Sequence, residues 1–308
     1  MLAVEAKEVS KIYKDSDSPA LRNISLSVED GQIFTLLGRN GAGKTTFVRI
    51  CTTQLMLTSG TLRVLGYDVV KERAKIRDVI SIVPQEARPL RALTPWDHVY
   101  NWLRIRGEKR DEAAKRTEKI LHRLELYDKK GTPSMNLSGG MKQKILVAMS
   151  MATNADLLFL DEPTIGLDPI SRRQVWSAIR DWKDEGKSIV LTTHYMDEAE
   201  SLSDKIVIID KGQVISEGTM EELRKVIPHN IRIDIVKKGI DQDQLKSFGS
   251  VIDMGSGVLR VFTFESVIKD LSEFAIKRKL RFTVSPITLD DIFVSLVSGH
   301  EELDDDER

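Results

Sequence analysis

The chain has 308 residues, 41% of them hydrophobic and 30% charged, with a formal net charge of −1. That balance suits a main domain plus a smaller one, and it supplies no global field that would select nucleic acid or an acidic membrane surface. The single Cys51 excludes an internal disulfide framework and a multi-cysteine zinc site, and reads as a small buried residue suited to a reducing cytosol.

The opening MLAVEAKEVSKIYKDSD has no long apolar core, so no signal peptide is expected, and no run approaches the ~18 apolar residues that span a bilayer. A role at a membrane is therefore expected to run through a partner. Residues 1–37 read as strands, LAVEAKEVSKIY, ALRNISLSVEDG and QIFTLL, with Asp30-Gly31 turning between the last two. The apolar run Gln32–Leu37 ends in glycines and becomes helical in TTFVRICTTQL. Residues 60–83 read as further strands and a charged helix ending in VISIVPQ, and about 86–150 as a helical subdomain rich in Arg, Lys, Glu and Leu. A helix is expected from Ser138 to Thr153. LLFLDEP and SIVLTTH then read as strands buried on both faces of a parallel sheet, with the helix SRRQVWSAIRDWKDEG between them. DKIVIIDKGQVISEG reads as a hairpin turning at Lys211-Gly212. After Pro228 the composition shifts: IRIDIV, a short helix DQDQLKSFG, two strands around Gly255–Gly257, the helix SVIKDLSEFAIKRKL and the strand RFTVSP. That βαββαβ order suggests a small α+β ferredoxin-like unit at 229–300, and the acidic 301–308 reads as a disordered tail.

Gly38–Thr45, GRNGAGKT, follows a strand and opens a helix, the context a phosphate loop requires. Gly38, Gly41 and Gly43 admit positive φ and close backbone approach to an anion, with Arg39, Asn40 and Ala42 between them. Successive N–H groups then form a nest for phosphate oxygens, and the following helix, opening at Lys44, Thr45 and Thr46, turns its positive end to the same place. Lys44 adds a point charge for the β- and γ-phosphates, and the Thr45 hydroxyl is a Mg²⁺ ligand type. LLFLDEP ends in Asp161 and Glu162 at a sheet's carboxyl edge, where ligands bind in open α/β sheets. With the phosphate loop present, Asp161 is expected to reach Mg²⁺. Glu162, on the opposite side of the pleat by alternation, is expected to orient or deprotonate water. On residues alone, His194 is a strand-end histidine, structural or in contact with a γ-phosphate; Gln85 stays unassigned; and Tyr13 packs or stacks. NLSGGMKQK, with Ser138, Gly139 and Gly140 at a helix start, reads as a second phosphate cradle.

Taken together, GRNGAGKTT, Gln85, LSGGMKQK, LLFLDEP, the GLD of 166–168 and His194 resemble the nucleotide-binding subunits of ATP-binding-cassette transporters, in that family's order. The resemblance implies an α/β P-loop nucleotide-binding domain at 1–228, with a mixed-sheet core and a helical subdomain. It also implies ATP with Mg²⁺ as cofactors, Mg²⁺ lying near Thr45, Gln85 and Asp161. It makes Tyr13 the adenine-stacking aromatic, Gln85 the link between the γ-phosphate and the helical subdomain, Glu162 the catalytic base and His194 the γ-phosphate sensor. Asp168 becomes the residue that joins two sites across a head-to-tail homodimer, in which Ser138–Gly140 of one copy face the ATP on the other's first loop. An isologous interface makes both sites at once.

Two features depart from the common LSGGQ form of the family: Met141 stands where it has glutamine and Lys144 where it often has arginine, a loss of bidentate geometry with the charge kept. HYMDEAE and PITLDDIFVSLVSG resemble the daunorubicin-resistance type of multidrug exporter ATPase. That implies a separate ABC-2-type permease and a peripheral place on the cytoplasmic face of the membrane. Leu90, Leu93, Trp96 and Trp102 then form either a permease contact or the subdomain's own core. The alternatives are an importer ATPase, or a soluble cassette acting on nucleic acid or ribosomes, for which a second cassette, coiled-coil heptads and a basic stripe are lacking.

Overall fold

The computed structural model describes residues 1–16, 18–236, 239–255 and 257–306, with side chains described as far as Val297. The chain divides into two compact units, Met1–Thr219 and Met220–Arg308. The division falls ahead of the Pro228 boundary drawn from composition, because a short helix before that proline packs on the last helix of the second unit.

The first unit opens with β1 (Leu2–Lys11), β2 (Leu21–Glu29), β3 (Ile33–Leu37) and α1 (Lys44–Cys51), then β4 (Ser59–Val64), β5 (Tyr67–Asp68), α2 (Arg73–Val79) and β6 (Ile80–Val83). The helical subdomain holds α3 (Pro95–Ile105), α4 (Arg110–Arg123) and α5 (Gly139–Met151). Next come β7 (Leu157–Asp161), α6 (Pro169–Asp184), β8 (Ser188–Thr193), α7 (Met196–Leu202), β9 (Lys205–Asp210) and β10 (Gln213–Gly218). Six strands form one mixed sheet in the order β10-β9-β3-β8-β7-β6, parallel except at the β9–β10 hairpin. A second, antiparallel sheet runs β2-β1-β4-β5.

Both faces of the six-stranded sheet are covered, which is why its strands are apolar throughout. Leu158, Leu160, Ile189 and Leu191 pack with Val99, Leu103, Leu121, Ile145 and Ile179 of the helical side. Leu157, Phe159, Val190, Phe34 and Leu36 face the other way, toward Phe47 and Val48 of α1 and the antiparallel sheet. This alternation along β7 turns Asp161 toward α1. α3 starts at a capping box, in which the Thr94 hydroxyl accepts from the Asp97 N–H and the Asp97 carboxylate from the Thr94 N–H, with Pro95 opening the first turn. Of the suggested permease-facing set, Leu90 is 65% exposed, while Trp96 is half-buried and packs on the core. Cys51 is fully buried, and burial pushes its thiol pKa up.

The second unit contains α8 (Met220–Arg224), β11 (Ile231–Val236), β12 (Ser250–Asp253), β13 (Val258–Thr263), α9 (Ile268–Lys277), β14 (Phe282–Pro286) and α10 (Leu289–Asp306). Its sheet, ordered β12-β13-β11-β14, is antiparallel throughout. Ile233, Ile235, Leu259 and Val261 pack on Leu271 and Ala275 of α9. The expected helix DQDQLKSFG is instead two 3₁₀ turns, Gln242–Gln244 and Lys246–Phe248. The segment stops at Gly249, whose φ of 156° excludes a helix and where a Cβ would lie 2.0 Å from the Phe262 carbonyl. The acidic stretch expected to be disordered continues α10 to Asp306, since each further residue of a nucleated helix adds a hydrogen bond; Glu307 and Arg308 lie outside the described residues.

At the start of α10, the buried Asp291 carboxylate accepts from Arg232 Nη1 of β11 (2.9 and 2.8 Å) and Arg260 Nη1 of β13 (2.6 Å). It also accepts from the Thr288 N–H and hydroxyl, each at 2.9 Å. PITLDDIF is thus the segment that clamps the last helix to the sheet.

A candidate nucleotide site at the carboxyl edge of the sheet

β3, β7 and β8 end side by side, so the loop after β3, the acids after β7 and the histidine after β8 share one edge. Gly38 opens the loop in a close approach: a Cβ there would lie 2.3 Å from the Ile209 carbonyl of β9. Positive φ, expected of all three loop glycines, belongs to Gly41 and Gly43 (84° and 108°) and not to Gly38. A Cβ on Gly43 would also meet the Ala20 carbonyl at 2.7 Å. The loop then runs into α1, whose first residue is Lys44. A cavity of about 200 Å³ lies over it, lined by Asn40, Gly41, Gly43, Lys44, Thr45, Thr46, Gln85 and Glu162 among others. Arg39 and Asn40 are exposed and Ala42 is buried. Tyr13, also exposed, shares a 3.2 Å hydrogen bond between its hydroxyl and that of Thr46, which sets its ring beside the loop.

Lys44 is 5% exposed and donates to the Gly38 and Arg39 carbonyls at 2.8 and 3.1 Å, with Glu162 Oε1 at 3.5 Å. Burial pulls its pKa below the usual lysine value, and the Glu162 carboxylate opposes that. Asp161 is 2% exposed; burial pushes its carboxyl up, while hydrogen bonds from Thr192 and Thr45 pull the other way. The Thr45 hydroxyl lies 3.2 Å from Asp161 Oδ1 and 3.3 Å from Gln85 Oε1, its one proton shared between them. Three oxygens of hard-cation type thus converge on one point. Glu162 does not continue the pleat as alternation supposed: its φ is +51°, a left-handed turn after the strand ends. Its N–H is held by the Thr192 carbonyl and hydroxyl, both at 3.1 Å. Its Oε2 receives Gln85 Nε2 at 3.3 Å, and His194 Nδ1 sits 3.1 Å away, out of line for a hydrogen bond. Lys44, Thr45, Gln85, Asp161, Glu162 and His194 are therefore brought together.

NLSGGMKQK lies elsewhere on the unit. Ser138 is the N-cap of α5, its hydroxyl accepting from the Met141 N–H at 3.2 Å. Ser138 and Gly139 are exposed, and a Cβ on Gly139 would meet nothing within 4 Å. Asp168 is the exposed N-cap of α6, accepting from the Ile170 and Ser171 N–H groups at 3.0 Å each and the Ser171 hydroxyl at 2.6 Å. These bonds, led by the Ser171 hydroxyl, hold its carboxyl below the usual range. Lys144 is not a surface charge: it is buried, bonds Gln174 Oε1, and has its pKa pulled down by burial. Met141 packs partly buried against the helical core. Sequence reasoning missed Thr192, which bonds both acids' segment, and Gln143, whose amide donates to the Pro163 carbonyl at 3.0 Å. It also missed His98, which takes the Leu90 N–H on Nε2 and donates from Nδ1 to the Thr94 carbonyl, both at 2.8 Å. A polar Thr-Thr pair inside the apolar SIVLTTH was the one available signal for the first.

The family model described as ABC transporter matches residues 21–165. The chain is 38% identical over 229 residues to the daunorubicin/doxorubicin resistance ATP-binding protein DrrA of Streptomyces peucetius, covering 74% of this chain and 69% of that protein. It is 34% identical over 291 residues to the daunorubicin resistance ATP-binding protein DrrA3 of Streptomyces coeruleorubidus, covering 91% of this chain and 92% of that protein. A longer relative, the human phospholipid-transporting ATPase ABCA3, matches at 35% identity, and the chain spans 14% of its length. Among solved structures, a dimeric post-hydrolysis state of the ATP-binding cassette MJ0796 bound to ADP and Pi superposes with a TM-score of 0.65 at 26% identity, over 70% of this chain and 98% of that one. The chain belongs to the ABC transporter family, as one of its ATP-binding, ATP-hydrolysing proteins.

Proposed function

We propose that this protein powers export through a separate ABC-2-type permease, by ATP-driven head-to-tail closure of two copies on the cytoplasmic face of the membrane. The observation that carries the hydrolytic part is one cluster: Lys44, Thr45, Gln85 and Glu162 line the cavity over the loop, Asp161 lies 3.2 Å from Thr45 and His194 3.1 Å from Glu162. Export is supported by the drug-resistance relatives that match most of the chain, and closure by the dimeric cassette of the same fold. Among the described residues no helix is long and apolar enough to cross a membrane.

In this reading Lys44 and the loop N–H groups take the β- and γ-phosphates, and Tyr13 stacks on adenine. Thr45, Asp161 and Gln85 would hold Mg²⁺, which when bound neutralises developing phosphate charge. Their oxygens already meet within 3.3 Å, so the donor set fits a hard cation. Glu162 Oε2, between Gln85 and His194, is the base that orients and deprotonates the attacking water. His194 reads the γ-phosphate. Ser138 and Gly139, exposed at a helix start, and the half-buried Gly140 present their N–H groups to the nucleotide held by the other copy, and Asp168 faces the same seam. We read the second unit as a ferredoxin-like split βαβ unit with its first helix reduced to short turns; its order, β12-β13-β11-β14, supports this.

Glu162→Gln tests the reading. With ATP and Mg²⁺ it should lose turnover and elute as a dimer on size-exclusion chromatography. A monomer under conditions where ATP demonstrably binds would defeat the sandwich.

A further inference from the structure

Glu198, on the helix after His194, takes no part in the mechanism above, yet it is among the most buried acids of the chain, with no exposed surface. Its Oε1 accepts two hydrogen bonds, from the Thr164 hydroxyl at 2.8 Å and the Trp176 indole N–H at 2.9 Å. Its Oε2 has no hydrogen-bond partner. Burial pushes its carboxyl up, and the hydrogen bonds it accepts pull the other way. An acid so placed costs stability, which alanine or leucine would avoid.

The two donors explain the placement. Thr164, itself fully buried, stands two residues after Glu162, in the turn where the Ile165 N–H bonds the Glu162 carbonyl and the Leu167 N–H bonds Thr164's own. That turn sets the left-handed backbone of Glu162 and leads into Asp168, the cap of α6. Trp176 lies on α6. Glu198 lies on α7, directly after His194 and Tyr195. Arg172 of α6 closes the outer side of this joint, donating to Asp197 at 3.2 Å and lying 4.4 Å from the Tyr195 ring centroid.

We propose that Glu198 is a positioning residue for hydrolysis: its carboxylate ties the Glu162 turn and α6 to the histidine-bearing segment, so that base, γ-phosphate sensor and Asp168 move as one body. This rests on the roles given above to Glu162 and His194. A single acceptor oxygen shared by two segments is a joint that hydrogen-bond geometry alone can set, and misplacing a reacting group by about 1 Å costs up to roughly 100-fold in rate.

Steady-state ATPase kinetics on the full chain test it, with nucleotide affinity read separately by a fluorescent ATP analogue and folding by thermal melts. Glu162→Gln is the control: if it keeps wild-type turnover, the proposed site itself fails. With that control inactive, Thr164→Val, which removes one donor at constant volume, should lower kcat about tenfold with KM for ATP within about twofold. Glu198→Ala should lower kcat further, and Glu198→Gln, which keeps an acceptor oxygen, should restore most of it. Should Glu198→Ala not fold, Thr164→Val and Trp176→Phe decide. Wild-type kcat in folded Thr164→Val and Trp176→Phe, or losses of kcat that merely track the folded fraction, would overturn the proposal.

Discussion

Removing the Asp291 carboxylate should loosen the second unit by an amount that the geometry bounds. In Asp291→Ala, five hydrogen bonds disappear, three of them from guanidinium nitrogens. Breaking a buried ion pair by removing one partner costs ~3–5 kcal/mol, because the other charge is left stranded. Here the lower end applies. Arg260 keeps a second partner, Asp234, through Nε at 2.7 Å and Nη2 at 3.1 Å, and the Arg232 side chain is 19% exposed and regains some water. The expected loss is about 3 kcal/mol, a large share of the ~5–15 kcal/mol that holds a domain together. With m-values of about 1–3 kcal/mol per molar urea, the midpoint should fall by roughly 1–3 M. All four tryptophans precede residue 220, so their fluorescence follows the first unit while far-UV circular dichroism follows both. The Asp291→Ala dichroism transition should precede the fluorescence one. Asp291→Asn, which keeps an acceptor, should cost about half as much. The neighbouring exposed Asp290→Ala should shift the midpoint by less than about 0.5 kcal/mol equivalent. An unchanged dichroism midpoint for Asp291→Ala, or an equal shift for Asp290→Ala, would refute the clamp.

Lys44→Ala should abolish tight binding of a fluorescent ATP analogue while leaving the fold intact, since its ammonium serves only the loop carbonyls and Glu162. Asp161→Asn should lose ATPase activity yet melt higher at neutral pH. The folded carboxyl is raised above its ordinary 3.8, so its ionised form lowers stability as pH rises through the raised value and has no such effect below 3.8. Melting wild type and variant across that range checks the sign, and a gap that fails to grow with pH would contradict it. Ser138→Arg should leave nucleotide binding at the Lys44 loop within about threefold and remove the ATP-dependent dimer of the Glu162→Gln background, read by chromatography. Cys51 should resist a thiol reagent in the folded protein and react stoichiometrically in denaturant, being fully buried.

The strands and the phosphate loop were legible because their signals are local. LLFLDEP and SIVLTTH had to be doubly buried from composition alone, and GRNGAGKT carries its own chemistry. What was not legible depends on the third dimension. Period-two alternation extended through Glu162 gave it the wrong geometric reason, because alternation ends where the backbone turns left-handed, and nothing in the triplet DEP marks that turn. Gly38 looked like a φ > 0 glycine and is instead a close approach to a strand far along the chain, β9. Lys144 was legible only as a kept charge in place of arginine; its burial comes from α5 packing on α6. The TLDD of PITLDDIF carried only a resemblance until Arg232 and Arg260 were seen to meet on Asp291.

The two glycine-bearing helix starts differ in a way that bears on how such a site could work. At the first, the charged groups are assembled and dry: Lys44, Asp161 and Glu162 are each no more than 5% exposed and held by backbone or threonine partners before any nucleotide is considered. Their desolvation is met during folding, so little reorganisation is left for the chemical step. At the second, Ser138 and Gly139 stand in solvent, Ser138 held by its cap bond to the Met141 N–H and by its carbonyl's bond from the Lys142 N–H, and the exposed Asp168 caps the adjacent helix within 3.8 Å of where a Cβ on Gly140 would lie. Neutral N–H groups at a helix start lose little on staying hydrated, and they gain most when an anion arrives with a second surface behind it. A preassembled half that holds the buried charges and an open half whose Ser-Gly-Gly cradle offers only dipoles is the division expected if hydrolysis is to wait for closure. Moving a charge into the open half, as Ser138→Arg does, strikes at that division while leaving Lys44 and its loop alone.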